Sequence, residues 1–221
     1  MDFLLGVCSV FVIAVMCTAL RLFQYYVKYQ SLVLDRESKD RSEHIKIIVM
    51  LDHYRGSSEL DARLDATVAL YRKLAIPNTC VFVLLTTGKL AGDEMTIARR
   101  NMNTLCERGI PLSSLDASGG YSGNAADTYQ EVRVACELAK EVYKVSSMHI
   151  VANPLQTYQA FGIAVFNNIY PRLCVVPLLE ESPFYVVGKF FQGVLTFFDP
   201  NGWNVLSLFT RFWRRKVSVN F

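Results

Sequence analysis

Apolar residues fall along this chain in two alternating rhythms, and each change of rhythm marks an element. Ile45 to Leu51 (IKIIVML) and Val81 to Thr86 (VFVLLT) are runs of strand length, rich in β-branched residues, and His149 to Ala152 and Leu173 to Val176 supply two more. Runs as continuously apolar as these predict strands buried on both faces. Between them the period lengthens. Leu60, Leu64, Val68, Tyr71 and Leu74 follow at spacings of four, four, three and three, and Val132, Cys136, Ala139 and Tyr143 at four, three and four. Each set lines one face of a helix. Met95, Ala98, Met102, Leu105 and Cys106 predict a further helix that stops at Gly109, with Pro111 beyond it. Strand then helix, repeated along the chain, predicts an α/β fold: a Rossmann-like three-layer sandwich with a mostly parallel sheet over residues 44–180.

Both ends of the chain depart from that rhythm. No residue from Phe3 to Leu20 is charged, and a helix of that length reaches about 27 Å, close to the roughly 30 Å of bilayer hydrocarbon. Phe23, Tyr25 and Tyr26 follow as an interfacial belt would. The segment has no basic n-region, only Asp2 beside the terminal amine, and its apolar run is long for an h-region, so residues 1–27 read as one retained transmembrane helix rather than a cleaved leader. Bulky Val15 and Met16 argue against lipoprotein cleavage at Cys17. Arg21, Lys28, Arg36 and Lys39 lie after the span with nothing basic but the amine before it, which favours a single-pass protein with a cytoplasmic body while leaving the topology open. Residues 28–43, charge-rich and aperiodic, read as a linker.

At the other end, residues 181–221 read as a helical segment. Phe184 to Phe198 is strongly apolar apart from a narrow stripe of Lys189, Gln192 and Thr196, Asp199 to Gly202 breaks the chain, and Trp203 to Trp213 leads to Arg214, Arg215 and Lys216. Two readings stay open. The helices lie on a membrane with the basic triplet on anionic headgroups, or they cover the sheet and the triplet merely suits a helix C-terminus.

Composition narrows the class. With 221 residues, 52% hydrophobic and 19% charged, the chain is long enough for one sizeable core, which excludes a disordered or disulfide-scaffold protein. The net charge of +3, from 23 basic against 20 acidic residues, is too balanced for a dedicated nucleic-acid binder. The six cysteines form no CxxC pair and no metal-ligand spacing with the three histidines, so no metal site is expected and the thiols read as small core residues suited to a reducing compartment.

In open parallel sheets, ligands bind outside the carboxyl ends of the strands. Four loops qualify: Asp52, His53 and Tyr54, reaching Arg63; Thr86 to Lys89, continuing to Asp93 and Glu94; Ser118 to Asp127 (SGGYSGNAAD); and Asn153 to Gln159 (NPLQTYQ). Gly88-Lys89 is not a phosphate-binding P-loop, because Val83 stands at the required glycine and Leu90 at the required hydroxyl. Gly119, Gly120 and Gly123 do not make GxGxxG, and Ser122 is out of register for a GxSxG elbow. What remains is a mixed crevice. Glycine-rich backbone including Gly88, with Arg63, Lys89, Asn124 and Asn153, can hold an anion, while Glu94 and Asp127 bind hydroxyls or act as general base. Duller readings stand beside these: a simple glycine turn, Ser122 or Asn124 as an N-cap, and Arg63 as a surface partner of Glu59 or Asp61. His53 is the one histidine in these loops.

The order of these parts resembles the DUF218 domain, the group that includes YdcF-, SanA- and ElyC-like membrane-anchored proteins. Arg63-Leu64 and Tyr71 match its first motif, with Ala66 one position early; Gly88, Glu94, Arg108-Gly109-Ile110-Pro111, Asn124 and Asp127 follow in order, and Asn153 stands near the group's serine. The likeness spans about Ile45 to Leu178. It departs where Gln156 replaces a histidine, Gln159 an arginine, and Asp52 a glycine. Glutamine replaces neither a titratable imidazole nor a guanidinium clamp at neutral pH. The resemblance implies a Rossmann-like fold, membrane association, a role in cell-envelope biogenesis, and S-adenosylmethionine or a nucleotide as cofactor.

Together these readings lead to the expectation of a membrane-anchored domain that binds a phosphate-bearing or nucleotide-like ligand. Its partners are the bilayer and a small anionic or lipid-phosphate molecule, with catalysis by Glu94 and Asp127 left open. The alternative is a diverged, non-catalytic interaction module.

Overall fold

A computed structural model describes residues 16, 18–33, 44–52, 57–89, 94–121, 127–178, 183–203, 208 and 212. Among them five strands, β1 (Ile45–Met50), β2 (Cys80–Leu84), β3 (Leu115–Asp116), β4 (Ser147–Ala152) and β5 (Tyr170–Val175), form one sheet in the order β3-β2-β1-β4-β5. Every pairing is parallel. The chain builds outward from β1 to one edge, then returns to the centre and builds the other way. Direction therefore reverses between β1 and β4, where Ile48 faces His149 and Met50 faces Val151.

The helices are α1 (18–33), α2 (Ser58–Leu74), α3 (Ile97–Glu107), a short α4 (Ser118–Tyr121), α5 (Thr128–Glu141), α6 (Pro154–Phe166) and α7 (Pro183–Thr196). Strand alternation divides the core in two. Ile48, Met50, Val81, Val83 and Val151 pack with Leu64 of α2 and Met102 and Leu105 of α3 on one face. Ile47, Val49, Leu84, Ile150 and Ala152 pack with Val132 and Cys136 of α5 and Ile163 of α6 on the other. The three-layer α/β sandwich follows from those two faces. α3 ends as its sequence requires: Gly109 adopts φ +95°, its amide donates to Cys106, and the Ile110 amide donates to Leu105 at 3.0 Å, with both Leu105 and Ile110 buried.

Three elements differ from the expectation. Asn153 to Gln159, expected as a loop, opens α6: Asn153 is the N-cap and Pro154 the first helical residue. β3, two residues long, is too short to show any period. Residues 28–33, expected as linker, continue α1, and Lys28 and Tyr29 dock on the body through the Phe166 carbonyl and the Tyr170 hydroxyl. Most of the expected membrane span, and most of the helix expected from Trp203 to Trp213, lie outside the described residues. Among the described residues no helix is long and apolar enough to cross a membrane.

Candidate functional site

At the carboxyl ends of β1 and β4 the chain buries a polar floor. Ser57 caps α2 by accepting from the Leu60 amide at 3.1 Å, which fixes the first turn and sets Glu59 and Arg63, one turn apart, against the sheet. The Arg63 guanidinium is fully buried, pairs with Glu59, and donates through one nitrogen to the carbonyls of Leu51 and Asp52, each at 2.7 Å. Glu59 also accepts from Asn153 Nδ2 at 2.9 Å, while Asn153 Oδ1 accepts from the Gln156 amide at 2.8 Å and caps α6. The Asp52 carboxylate accepts from Asn101 of α3 at 3.0 Å. This network ties α2, α3, α6 and the end of β1 into one rigid base.

The base changes the expected roles. Arg63 is no anion clamp and no surface residue: three of its donor contacts go to Glu59 and the β1 terminus, because β1 stops there and its last carbonyls need partners away from water. Asn153 is likewise occupied as cap and as Glu59 partner. Gly88 contributes its carbonyl, which accepts from the Ile97 amide at 3.1 Å while the Thr87 carbonyl accepts from Ala98, so the start of α3 is closed by the chain's own backbone. Lys89 and Glu94 are exposed. Asp127, expected to bind hydroxyls or act as general base, is the N-cap of α5, accepting from the Gln130 amide at 2.9 Å, a role the sequence offers to Ser122 or Asn124 as the duller alternative. Asn124 and His53 lie outside the described residues, as do positions 53–56, 90–93, 122–126 and 179–182.

A second polar group, whose Lys189, Gln156 and Gln159 stand out in the sequence while Thr128 does not, sits where α5 and α6 begin. The Thr128 hydroxyl, at the first position of α5, accepts from Gln156 Nε2 at 3.3 Å and from Lys189 Nζ of α7 at 3.4 Å. Lys189 is only 8% exposed. Gln156 Oε1 and, one turn further along α6, Gln159 Oε1 are buried with no hydrogen-bond partner among the described residues. The chain matches no family model, no curated protein and no solved structure. The geometry offers an ammonium group beside the start of α5 and the Gln156 amide, in a buried polar layer to which α6 adds the Gln159 oxygen and the first turn of α5 adds the Glu131 carboxylate. That combination suits a ligand carrying both negative charge and hydroxyls. The stripe of Lys189, Gln192 and Thr196 is visible in the sequence; which way it faces is decided by packing.

Proposed function

We propose that this chain is a membrane-anchored α/β protein whose crevice, at the reversal between β1 and β4, binds a small phosphate-bearing or nucleotide-like ligand. The observation that carries the reading is the convergence of Lys189, Thr128 and Gln156 at the starts of α5 and α6. In this reading Lys189 takes the anionic group, and the unpartnered oxygens of Gln156 and Gln159 accept from ribose or sugar hydroxyls. The buried floor of Glu59, Arg63, Asn153, Asp52 and Asn101 holds the walls in place. The reading concerns binding and assigns no reaction. Cell-envelope biogenesis is the setting that the resemblance to the DUF218 group implies, and the apolar N-terminal segment is the anchor.

The test is thermal unfolding of the detergent-solubilised full chain with inorganic phosphate, nucleoside monophosphates or S-adenosylmethionine added in turn. A ligand at a hundred times its dissociation constant stabilises by about 2.7 kcal/mol. A shift with one of these in the wild type, lost in Lys189→Met, is the expected outcome; no shift with any of them removes the reading. The interaction module without a small ligand draws on the scatter of Lys89 and Glu94 into solvent and on glutamines at both departing positions, and it expects no shift.

A further inference from the structure

α7 is turned inside out. Its polar stripe points into the protein: Lys189 and Gln192 are buried, and the fully buried Thr196 hydroxyl lies 2.8 Å from Tyr129 Oη and 2.9 Å from the Gln192 carbonyl. Its apolar stripe points out. Val187, Phe190 and Phe191 are 54%, 58% and 55% exposed, Val194 is exposed beside them, and a side chain built at Gly188 would meet nothing within 4 Å. On the surface helix of a soluble protein the two stripes are the other way round.

α1 repeats the inversion. Arg21, Tyr25, Lys28 and Tyr29 face the body: Arg21 Nε donates to the Phe197 carbonyl at 2.9 Å, just past the end of α7, Lys28 donates to the carbonyl that ends α6, and Tyr25 packs edge-on to Phe197 at 5.1 Å. Met16, Leu20, Phe23 and Val27, at spacings of four, three and four, are exposed. Two helices in direct contact thus turn charged and hydrogen-bonding groups toward the body and leave apolar residues bare, with Gln24, Gln30 and Ser31 of α1 also facing out. Single exposed apolar residues need no explanation, but adjoining helices inverted together mark an interaction surface.

We infer that the outward face of α7 is seated in the bilayer surface as a second membrane contact, distinct from the N-terminal anchor and continuous with it through α1. Lipid is the occupant because, in sequence, the exposed apolar residues of α1 follow on the uncharged stretch Phe3 to Leu20, and because the sequence beyond α7 carries the basic triplet Arg214, Arg215 and Lys216, a composition that suits anionic headgroups. α7 lies in the plane rather than across it: fourteen residues reach about 21 Å, short of the hydrocarbon thickness, and Lys189 is held on the body. The inference shares with the anchored reading the premise that the protein lives at a membrane, and adds its orientation: the outward face of α7 lies against the lipid, with the ligand crevice on the inward face, where Lys189 at mid-helix reaches Thr128.

The test reconstitutes the full chain in phosphatidylcholine–phosphatidylglycerol vesicles, with the photoreactive phenylalanine analogue p-benzoylphenylalanine replacing Phe191, or Ile76 on the opposite layer as control. Illumination followed by mass spectrometry is expected to give a lipid adduct at position 191 and none at 76. If the protein floats with the vesicles but position 191 gives no adduct, a cross-link to a second copy, or no more lipid adduct than position 76, the α7 contact is overturned and the anchor stands. A chain that does not float with vesicles at all overturns both.

Discussion

Arg63 shows how much a single side chain's meaning depends on burial. An exposed Arg–Glu pair one turn apart contributes a few tenths of a kcal/mol, but here neither partner meets water and the guanidinium also closes the end of β1. Removing it strands the Glu59 charge in the interior, so Arg63→Met is expected to cost about 3–5 kcal/mol and to lower the melting temperature by roughly 10 °C. Lys89→Ala and Glu94→Ala, both at exposed positions, are expected to stay within about 0.5 kcal/mol of wild type. Circular-dichroism melting of the detergent-solubilised chain checks all three, and an Arg63 variant that melts with the other two would refute the buried network. Tyr143 gives a pH-dependent case. Its hydroxyl donates to Asp116 at 2.6 Å, and burial, then that bond and the neighbouring charge, push its ionisation well above the ordinary 10.0. A group whose pKa is raised by folding stabilises fully below its unfolded value and loses that contribution as pH rises through the folded one. Wild-type stability is therefore expected to fall above pH 10, and Tyr143→Phe to start lower and fall less steeply over the same range in urea titrations.

At the scale of elements, close approach between α6 and α7 depends on one glycine. A β-carbon at Gly162 would already stand 3.0 Å from the Thr196 methyl, so Gly162→Val has to push α7 off α6 and is expected to cost about 1–3 kcal/mol. Gly188→Ala, on the same α7 but facing open space, is expected to be neutral or stabilising by about 0.5–1 kcal/mol through helix propensity. Equal effects of the two in urea unfolding would contradict the packing direction of α7. What the sequence makes legible here follows from physical range. The strands at Ile45 and Val81 and the helices through Leu64 and Val132 announce themselves by local period, and their order is enough for the parallel sandwich. α6 hides because Gln156, Thr157 and Gln159 are buried polar residues that blur its apolar face, although Asn153-Pro154 carries an ordinary helix-start signal. The site is less legible still. Arg63 and Asn153 stand out in the sequence as polar groups near the strand ends, and Glu59, four residues before Arg63, is its local partner, yet the burial of that pair and the contact of Asn153 with Glu59, 94 positions away, are set by the fold. Lys189 and Thr128, 61 apart, converge for the same non-local reason.

For the whole molecule, the inversion of α1 and α7 separates two properties that a soluble protein couples. In an ordinary surface helix the apolar stripe supplies stability and the polar stripe supplies solubility, so replacing the aromatic residues destabilises and replacing the polar ones does little. Here the order should reverse. Phe190 and Phe191 touch each other edge to face at 6.0 Å and otherwise project outward, so Phe190→Ser with Phe191→Ser is expected to leave unfolding of the detergent-solubilised chain within about 0.5 kcal/mol of wild type. Thr196→Val keeps the shape but deletes a hydroxyl that sits between Tyr129 and Gln192 in a buried joint, and is expected to cost about 1–2 kcal/mol. Chemical denaturation followed by far-ultraviolet circular dichroism measures both variants under one condition. Should the serine pair prove the more damaging, the aromatic stripe would be packing inward, α7 would be an ordinary cover for the sheet, and the continuous apolar face it shares with α1 would not exist.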